Sequence, residues 1–239
     1  NIDAFGIGSF GPIDMNIDSK TYGYITSTPK KGWQNFNFLG KIKERYNVPV
    51  AWNTDVSVSC LGEYIKGAGK GKKEVLYLTI GTGIGGGVVY NGQILNNWNS
   101  PEMGHIYVKR HKEDIYEGIC PYHKDCLEGL ASGPSIEKRY NIKGQYLDSN
   151  HKIWNIIAFY IGQALWNYTL TLVPNVIILG GGVAKQKLLL DKIKTEFKKL
   201  ANSYVNYPNL DEYIVLAKLN DDQALIGCGQ LAKNLLNKN

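Results

Sequence analysis

The sequence predicts an α/β fold, and three observations support that prediction. Short segments rich in β-branched and aliphatic residues recur along the 239-residue chain, as expected for strands. Segments with helical hydrophobic periodicity lie between them, and this alternation is typical of α/β proteins. Two of the apolar segments end directly in glycine-rich runs, at residues 81–87 and 180–182. Ligands of open α/β sheets bind beyond such strand ends.

The predicted strands cover residues 4–8, 48–51, 75–80, 87–90, 176–179 and 213–217. The first has the composition of a buried strand, and a glycine-rich turn follows it at once. Because folds seldom begin on a central strand, we expect either that this strand lies at a sheet edge or that further sequence precedes Asn1. The Asn91-Gly92 pair directly after the fourth strand predicts a tight hairpin turn.

The predicted helices cover residues 38–46, 56–67, 153–172 and 187–203. Their apolar residues recur at helical spacing. Residues 154–172 are apolar on most sides, so we expect this helix to be buried.

Composition excludes several classes of protein. Hydrophobic residues make up 44% and charged residues 20% of the chain, which is typical of a globular protein. No apolar run reaches about 18 residues, so no membrane span is expected. The net charge of +6 comes from scattered lysines without a long basic stripe, so nucleic-acid binding is not expected. Four cysteines are too few for a disulfide scaffold, which favours a reducing cytoplasm.

The strongest local signal is LTIGTGIGGGVVYNG, residues 78–92. Glycines such as Gly83 and Gly85 let backbone N–H groups approach an anion, and Thr82 adds a hydroxyl donor. The motif is not a Walker loop, because no Gly-Lys-Ser/Thr follows. It is also a poor dinucleotide fingerprint, because a strand rather than a helix follows. A glycine hairpin without a ligand is the alternative.

A second glycine turn lies in IILGGGVA, residues 177–184. Here a buried strand ends in Gly180, Gly181 and Gly182, and we expect a helix to start directly after them. Plain packing of a helix against a strand would explain the glycines equally well. Together with the turn at residues 81–87, however, this motif suggests a bound nucleotide.

Asp55 lies where a predicted strand ends and a predicted helix begins. Two interpretations fit this position. Asp55 is either the N-cap of the helix or a carboxylate that accepts the proton of an attacking hydroxyl during phosphoryl transfer.

The segment CPYHKDC places Cys120, His123 and Cys126 at three-residue intervals. Sulfur and imidazole ligands at this spacing suit tetrahedral Zn²⁺. The fourth ligand should be another histidine, and His105 and His111 are the candidates. Four protein ligands close a zinc site, so we expect a structural metal rather than a catalytic one. Two carboxylates flank this segment, Glu102 and Glu128, and either could hydrogen-bond a polyol or simply face solvent.

Taken together, these motifs resemble the ROK family of repressors and sugar kinases, with the closest similarity to its bacterial fructokinases. The segments that carry the resemblance occur in the family's order: GIGSFGPID, TDVSVSCLGEY, LTIGTGIGGGVV, PEMGHI, CPYHKDCLEG, ASGPSIEKRY and IILGGGVA. The resemblance implies an actin-like, ribonuclease-H-like ATPase fold with two α/β lobes and a cleft. Residues 1–54 would belong to the N-terminal lobe. Residues 55–239 would form a larger C-terminal lobe with a zinc loop at about 105–126.

The resemblance also implies roles for individual residues. Asp55 would be the catalytic base. The ATP site would comprise Thr82, Gly83, Gly85, Gly180, Gly181 and Gly182, with Mg²⁺ on the phosphates. The substrate side would comprise Gly11, Thr54, Glu102, His105 and Glu128. Structural zinc would bind His105, Cys120, His123 and Cys126. One ring nitrogen of His105 would then serve the metal and the other the sugar. The family further implies a homodimer.

The chain departs from the family's pattern at three points. The common Asn-Asp pair is Thr54-Asp55 here, which resembles the fructokinase branch. His123 replaces one cysteine of the usual zinc motif. The Asp-x-Gly-Gly-Thr phosphate loop is absent, so we expect roughly 50 residues of the family's pattern to be missing before Asn1.

The activity implied is ATP-dependent phosphorylation of D-fructose to fructose 6-phosphate. Three alternatives remain open. One is a kinase for glucose, mannose or N-acetylmannosamine. Another is a sugar-sensing repressor, although a pure sensor needs neither Asp55 nor the glycine turn at 81–87. The third is a zinc-stapled binding domain without catalysis.

Overall fold

The computed structural model describes residues 2–237, which form two compact units, each discontinuous in sequence. The first unit contains the residues up to Tyr77, Gly87–Pro101 and the residues from Lys218 onward. The second contains Leu78–Gly86 and Glu102–Ala217. The sequence predicted two continuous segments that meet at residues 54 and 55, whereas the observed units take several separate stretches of the chain.

The strands are β1 (Phe5–Ser9), β2 (Val50–Thr54), β3 (Glu74–Ile80), β4 (Ile84–Tyr90), β5 (Gln93–Ile94), β6 (Val176–Gly180) and β7 (Ile214–Leu216). The helices are α1 (Phe38–Arg45), α2 (Asp55–Lys66), α3 (Leu127–Ala131), α4 (Gly133–Tyr140), α5 (Ile153–Leu172), α6 (Leu189–Ala201), α7 (Leu210–Tyr213) and α8 (Gln223–Leu236). Two short 3-10 helices lie at Met103–His105 and Gly144–Tyr146. The chain contains both strands and helices, which confirms the predicted α/β class.

In the first unit, β1 and β2 form a parallel two-stranded sheet. The register sets Phe5 opposite Val50 and Ser9 opposite Thr54. Helix α8 packs closely on α2: a Cβ at Gly227 would lie 1.9 Å from the carbonyl oxygen of Val58. This packing fixes the start of α2 directly beyond the end of β2.

The second unit is built around β6, whose five residues are all buried. Its neighbour β7 runs parallel to it, with Ile177 opposite Ile214. The strand order of the larger sheet is β5–β4–β3–β6–β7. Most of α5 is buried, as predicted for this helix. Within residues 2–237, no helix combines the length and apolar character that a bilayer crossing requires.

Some local predictions agree with the structure and others do not. The hairpin at Asn91-Gly92 is confirmed, because both residues have positive φ and Val89 pairs with Ile94. Strand β1 is half-buried apart from Ser9, although its composition is typical of a buried strand. It pairs with β2 at the edge of a small sheet, and this pairing accounts for its exposure.

Candidate active site

Asp55 is the first residue of α2, directly after the last residue of β2. Thr54, not Asp55, is the N-cap of the helix. The Thr54 hydroxyl oxygen accepts the Ser57 N–H at 3.3 Å and donates to the Ser57 hydroxyl at 2.7 Å. The N-cap interpretation of Asp55 is therefore wrong. Thr54 is buried and engaged in this cap, so its contact with a substrate stays a prediction.

The Asp55 carboxylate lies at the start of α2. The residue is exposed to solvent, and its Oδ1 accepts the N–H of Val56 at 2.8 Å. The protein atoms packed around the carboxyl group partly desolvate it, and this raises the pKa of Asp55 above its ordinary value. The Val56 N–H and the charge of Lys30 act in the opposite direction. A raised pKa suits a general base better than an ordinary aspartate.

The first glycine turn joins β3 to β4. The N–H of Gly81 donates to the carbonyl of Gly83 at 2.9 Å, which closes the turn. Thr82 is exposed at its tip, where its hydroxyl can meet a ligand, and Gly85 is half-buried in β4. The turn therefore presents the Thr82 hydroxyl to solvent, and a hydroxyl can donate a hydrogen bond to a phosphate oxygen.

The second glycine turn follows β6. Gly181 has a φ of +85°, and a Cβ there would lie 2.4 Å from the carbonyl oxygen of Ile80. Only glycine fits this position. A Cβ at Gly182 would meet no atom within 4 Å, so a ligand can approach that backbone. The predicted helix directly after these glycines is wrong: residues 181–188 form turns, and α6 begins at Leu189.

The two glycine turns lie side by side within the second unit. A Cβ at Gly81 would be 3.9 Å from the backbone nitrogen of Gly182. A third glycine joins them, because the N–H of Gly133 donates to the carbonyl of Gly81 at 2.7 Å. The sequence analysis assigned no role to Gly133. The Gly-Pro pair that opens α4 was the available signal, since proline is common in the first turn of a helix.

Four potential metal ligands converge in the second unit, namely His105, Cys120, His123 and Cys126. Their ligand atoms all lie within 4.8 Å of one another. The Cys120 Sγ is 3.7 Å from Nδ1 of both histidines, and the Cys126 Sγ is 3.5 Å from Nδ1 of His105. Sulfur and nitrogen ligands of a tetrahedral zinc ion lie ~3.6 Å apart, so these distances fit zinc.

His105 rather than His111 belongs to this cluster. The Nδ1 of His111 accepts the N–H of Glu113 at 3.2 Å, and its ring packs edge-on against Phe159.

Burial raises the pKa of the Cys126 thiol to about 12, and the neighbouring Cys120 adds to this effect. A thiolate at this position therefore requires a bound cation.

Between Glu102 and His105, the backbone at Gly104 lies in close contact with Ile84. A Cβ at Gly104 would lie 1.7 Å from the carbonyl oxygen of Ile84, so the short 3-10 helix rests directly on β4. The N–H of His105 donates to the carbonyl of Glu102 at 3.0 Å, and the Glu102 side chain is exposed. Because Nδ1 of His105 faces the cysteine sulfurs, its Nε2 remains for another partner.

Glu128 lies in the first turn of α3, for which Cys126 is the N-cap. Its Oε2 accepts the N–H of Ile84 at 2.8 Å, so this half-buried carboxylate is bound to the first glycine turn. Sequence analysis predicted a contact of Glu128 with substrate and did not predict this bond.

The predicted site residues divide between the two units. Gly11, Thr54 and Asp55 belong to the first unit, and Gly11 follows closely after β1. The remaining predicted residues belong to the second unit: Thr82, Gly83, Gly85, Glu102, His105, Cys120, His123, Cys126, Glu128, Gly180, Gly181 and Gly182.

Comparisons with known proteins show which proteins this chain resembles. The ROK family model matches residues 1–235. A fructokinase from Lactococcus lactis subsp. cremoris is 46% identical over 240 residues, covering 99% of this chain and 82% of the relative. A fructokinase from Streptococcus mutans is 42% identical, covering 98% and 81%. The crystal structure of a ROK hexokinase from Thermus thermophilus has the same fold, with a TM-score of 0.79 at 24% identity, covering 99% of this chain and 80% of that chain.

Proposed function

Because the chain belongs to the ROK family, we propose that it is an ATP-dependent hexose kinase that converts D-fructose to fructose 6-phosphate. One observation carries this proposal: fructokinases resemble the chain at 40 to 46% identity over almost its entire length. The position of Asp55 at the carboxyl end of β2 supports it, since phosphoryl transfer to a hydroxyl requires a nearby proton acceptor.

In the proposed reaction, the Asp55 carboxylate accepts the proton of the sugar 6-hydroxyl. The hydroxyl oxygen forms a bond to the γ-phosphorus, and the bond from that phosphorus to the β-bridging oxygen breaks. ADP leaves with the electron pair of the broken bond. The raised pKa of Asp55 favours proton acceptance, while the N–H of Val56 holds the carboxylate in place.

The ATP phosphates would lie on the paired glycine turns. Thr82, Gly83 and Gly85 supply the first turn, and Gly180–182 the second. The open space beside Gly182 supports this assignment: a Cβ added there would meet no atom within 4 Å, so a ligand has room. Mg²⁺, when bound with ATP, neutralises part of the phosphate charge.

The sugar would be held by Gly11, Thr54, Glu102, His105 and Glu128. A structural zinc ion would bind the cluster of His105, Cys120, His123 and Cys126, whose spacing fits tetrahedral coordination. Within the second unit, the zinc loop would fix two sugar ligands: His105 directly, and Glu128 through the N-cap residue Cys126. The Nε2 of His105 would then face the sugar.

We further propose a homodimer that works in a reducing cytoplasm. The four cysteines form no disulfide, which supports a reducing compartment. Light scattering during gel filtration tests the dimer, and a mass of one chain would contradict it.

A coupled assay of ADP release from Mg-ATP tests the activity, with fructose, mannose, glucose and N-acetylmannosamine as substrates. We expect fructose to give the highest kcat/KM. Asp55→Asn should lower turnover by about 10²- to 10⁴-fold while sugar binding persists. A higher kcat/KM with another hexose would change the substrate assignment. Near-normal turnover of Asp55→Asn would exclude Asp55 as the base.

A further inference from the structure

An aromatic ring holds the side chain of Lys30 in the first unit. The Lys30 Nζ lies 3.6 Å from the centroid of the Phe10 ring, whose negative face attracts an ammonium group. Phe10 is supported in turn by Trp33, in an edge contact with ring centroids 5.5 Å apart. Lys30 therefore has a defined position although it is exposed to solvent.

The backbone around Lys30 is also fixed. The N–H of Lys30 donates to the Thr28 hydroxyl at 3.4 Å, and the Gln34 side chain donates to the Thr28 carbonyl at 2.9 Å. Thr28 itself is buried. These contacts limit the range over which the ammonium can move.

Strand register makes the segments that contain Phe10 and Asp55 leave the small sheet at the same end. Ser9 lies opposite Thr54 in the parallel pair of β1 and β2. Phe10 follows Ser9, and Asp55 follows Thr54. Because paired strands lie about 4.8 Å apart, the two segments leave the sheet as close neighbours. The ring that holds the Lys30 ammonium therefore belongs to the segment next to the start of α2, and the Lys30 charge acts on the Asp55 carboxylate.

The charge of Lys30 acts on the Asp55 carboxylate. Two uncharged groups also bind Asp55: the Val56 N–H donates to its carboxylate, and the Ser59 hydroxyl donates to its backbone carbonyl. Burial raises the pKa of Asp55, and the Lys30 charge lowers it. The two opposing effects favour an ionised carboxylate that is still basic enough to accept a proton.

We infer that Lys30 is a positioning residue for phosphoryl transfer: Phe10 holds its ammonium beside Asp55, and this charge keeps the carboxylate ionised to accept the sugar proton. The inference rests on the proposed function, in which Asp55 is the base. Lys30 need not contact substrate for this role, because its charge acts through Asp55.

Two measurements on the complete chain test the inference. The first follows the carbon-13 carboxyl resonance of Asp55 against pH, assigned by its disappearance in Asp55→Asn. The second follows log kcat/KM for fructose against pH. The variants are Lys30→Met, the charge-conserving Lys30→Arg, and Lys31→Met as the matched control. Lys31 is the adjacent exposed lysine, so its substitution removes the same charge from the neighbouring position.

Lys30→Met should move the Asp55 titration and the acid limb of activity to higher pH, so that its loss of kcat/KM grows as the pH falls. Lys30→Arg should restore both to near the wild-type pH. Lys31→Met should change neither. Phe10→Leu, which keeps an apolar side chain but removes the ring, should shift both in the same direction as Lys30→Met.

The inference is overturned if Asp55 titrates at the wild-type pH in Lys30→Met, or if Lys31→Met shifts it equally. The NMR titration does not depend on activity, so it separates this inference from the proposed function. An inactive Asp55→Asn with an unshifted Lys30→Met titration would reject only the role of Lys30. A fully active Asp55→Asn would reject the base, and with it the premise of the inference.

Discussion

The Glu128 carboxylate binds the backbone of Ile84: Oε2 accepts the Ile84 N–H at 2.8 Å. This bond connects two features that the sequence presents separately. Glu128 lies two residues after Cys126, a member of the metal-ligand cluster, and Ile84 is the first residue of β4, directly after the glycine turn that joins β3 to β4. The zinc loop and the proposed phosphate turn are therefore joined by one charge-assisted hydrogen bond.

Glu128→Ala should weaken ATP binding. It leaves the Ile84 N–H without its partner, and the turn that presents Thr82 loses its anchor. Losing a hydrogen bond to a charged group costs about 1.5–3 kcal/mol, which corresponds to about 10- to 100-fold in Kd. Calorimetry with Mg-ATP and no sugar isolates this effect from any sugar contact of Glu128. Glu137→Ala, on the exposed face of α4, is the control. Equal ATP affinity in both variants would contradict the prediction.

His123→Ala should abolish stoichiometric zinc binding, whereas His111→Ala should retain it. The reason is that His123 belongs to the four-ligand cluster and His111 does not. Zinc content by mass spectrometry after dialysis measures this difference. Loss of zinc should also lower the free energy of unfolding, by about 4 kcal/mol when free zinc is about 1,000 times its Kd. Zinc retained in His123→Ala, or lost in His111→Ala, would require a different ligand set.

In a plot of kcat/KM against pH, the acid limb should lie at a higher pH than the ordinary pKa of an aspartate. Partial desolvation raises the pKa of Asp55, and in the proposed mechanism only the ionised carboxylate can accept the sugar proton. Activity should therefore be full above the raised pKa and fall about tenfold for each pH unit below it. A pH profile of the wild type, with unfolding monitored at each pH, provides the measurement. An acid limb at the ordinary pKa of an aspartate would show that desolvation does not raise the pKa of Asp55.

Asp114→Asn should destabilise the second unit. Asp114 and Arg139 form an ion pair of 2.7 Å with side chains only 4% and 5% exposed. Removing one partner leaves the other charge buried, which costs about 3–5 kcal/mol. Asp211→Asn is the matched control, because the Asp211 carboxylate is paired with Lys194 but 84% exposed. It should change the free energy of unfolding by less than about 1 kcal/mol. Urea denaturation distinguishes the two, and equal effects would contradict the prediction.

The ion pair of Asp114 and Arg139 also makes the stability of the fold depend on pH. Burial alone would raise the pKa of Asp114, but hydrogen bonds from Arg139 and Tyr160 and the Arg139 charge outweigh it, so the pKa is lowered. The stabilisation is therefore complete above the unfolded pKa of about 4 and lost as the pH falls through the folded value. Asp114→Asn should lack this acid-dependent loss.

Strong local patterns predicted the secondary structure well. The helix predicted at residues 153–172 coincides with α5, because its apolar residues are long and continuous. Helix α8 was missed. It contains Gly227 and Gly229, which lower its intrinsic helix propensity. Its close packing on α2 depends on Gly227, where a Cβ would lie 1.9 Å from the carbonyl oxygen of Val58, so tertiary contact outweighs local preference here.

The sequence by itself determined the chemical groups of this protein. The Cys-x-x-His-x-x-Cys spacing, the two glycine turns and a carboxylate at a strand end are all local features, and each lies within a few residues of chain. The tertiary structure decided which distant groups meet. His105 joins Cys120 across 15 residues, and Glu128 binds Ile84 across 44. Local spacing fixes only neighbours within a turn, a helix or a strand, whereas these partners are chosen by the packing of whole elements.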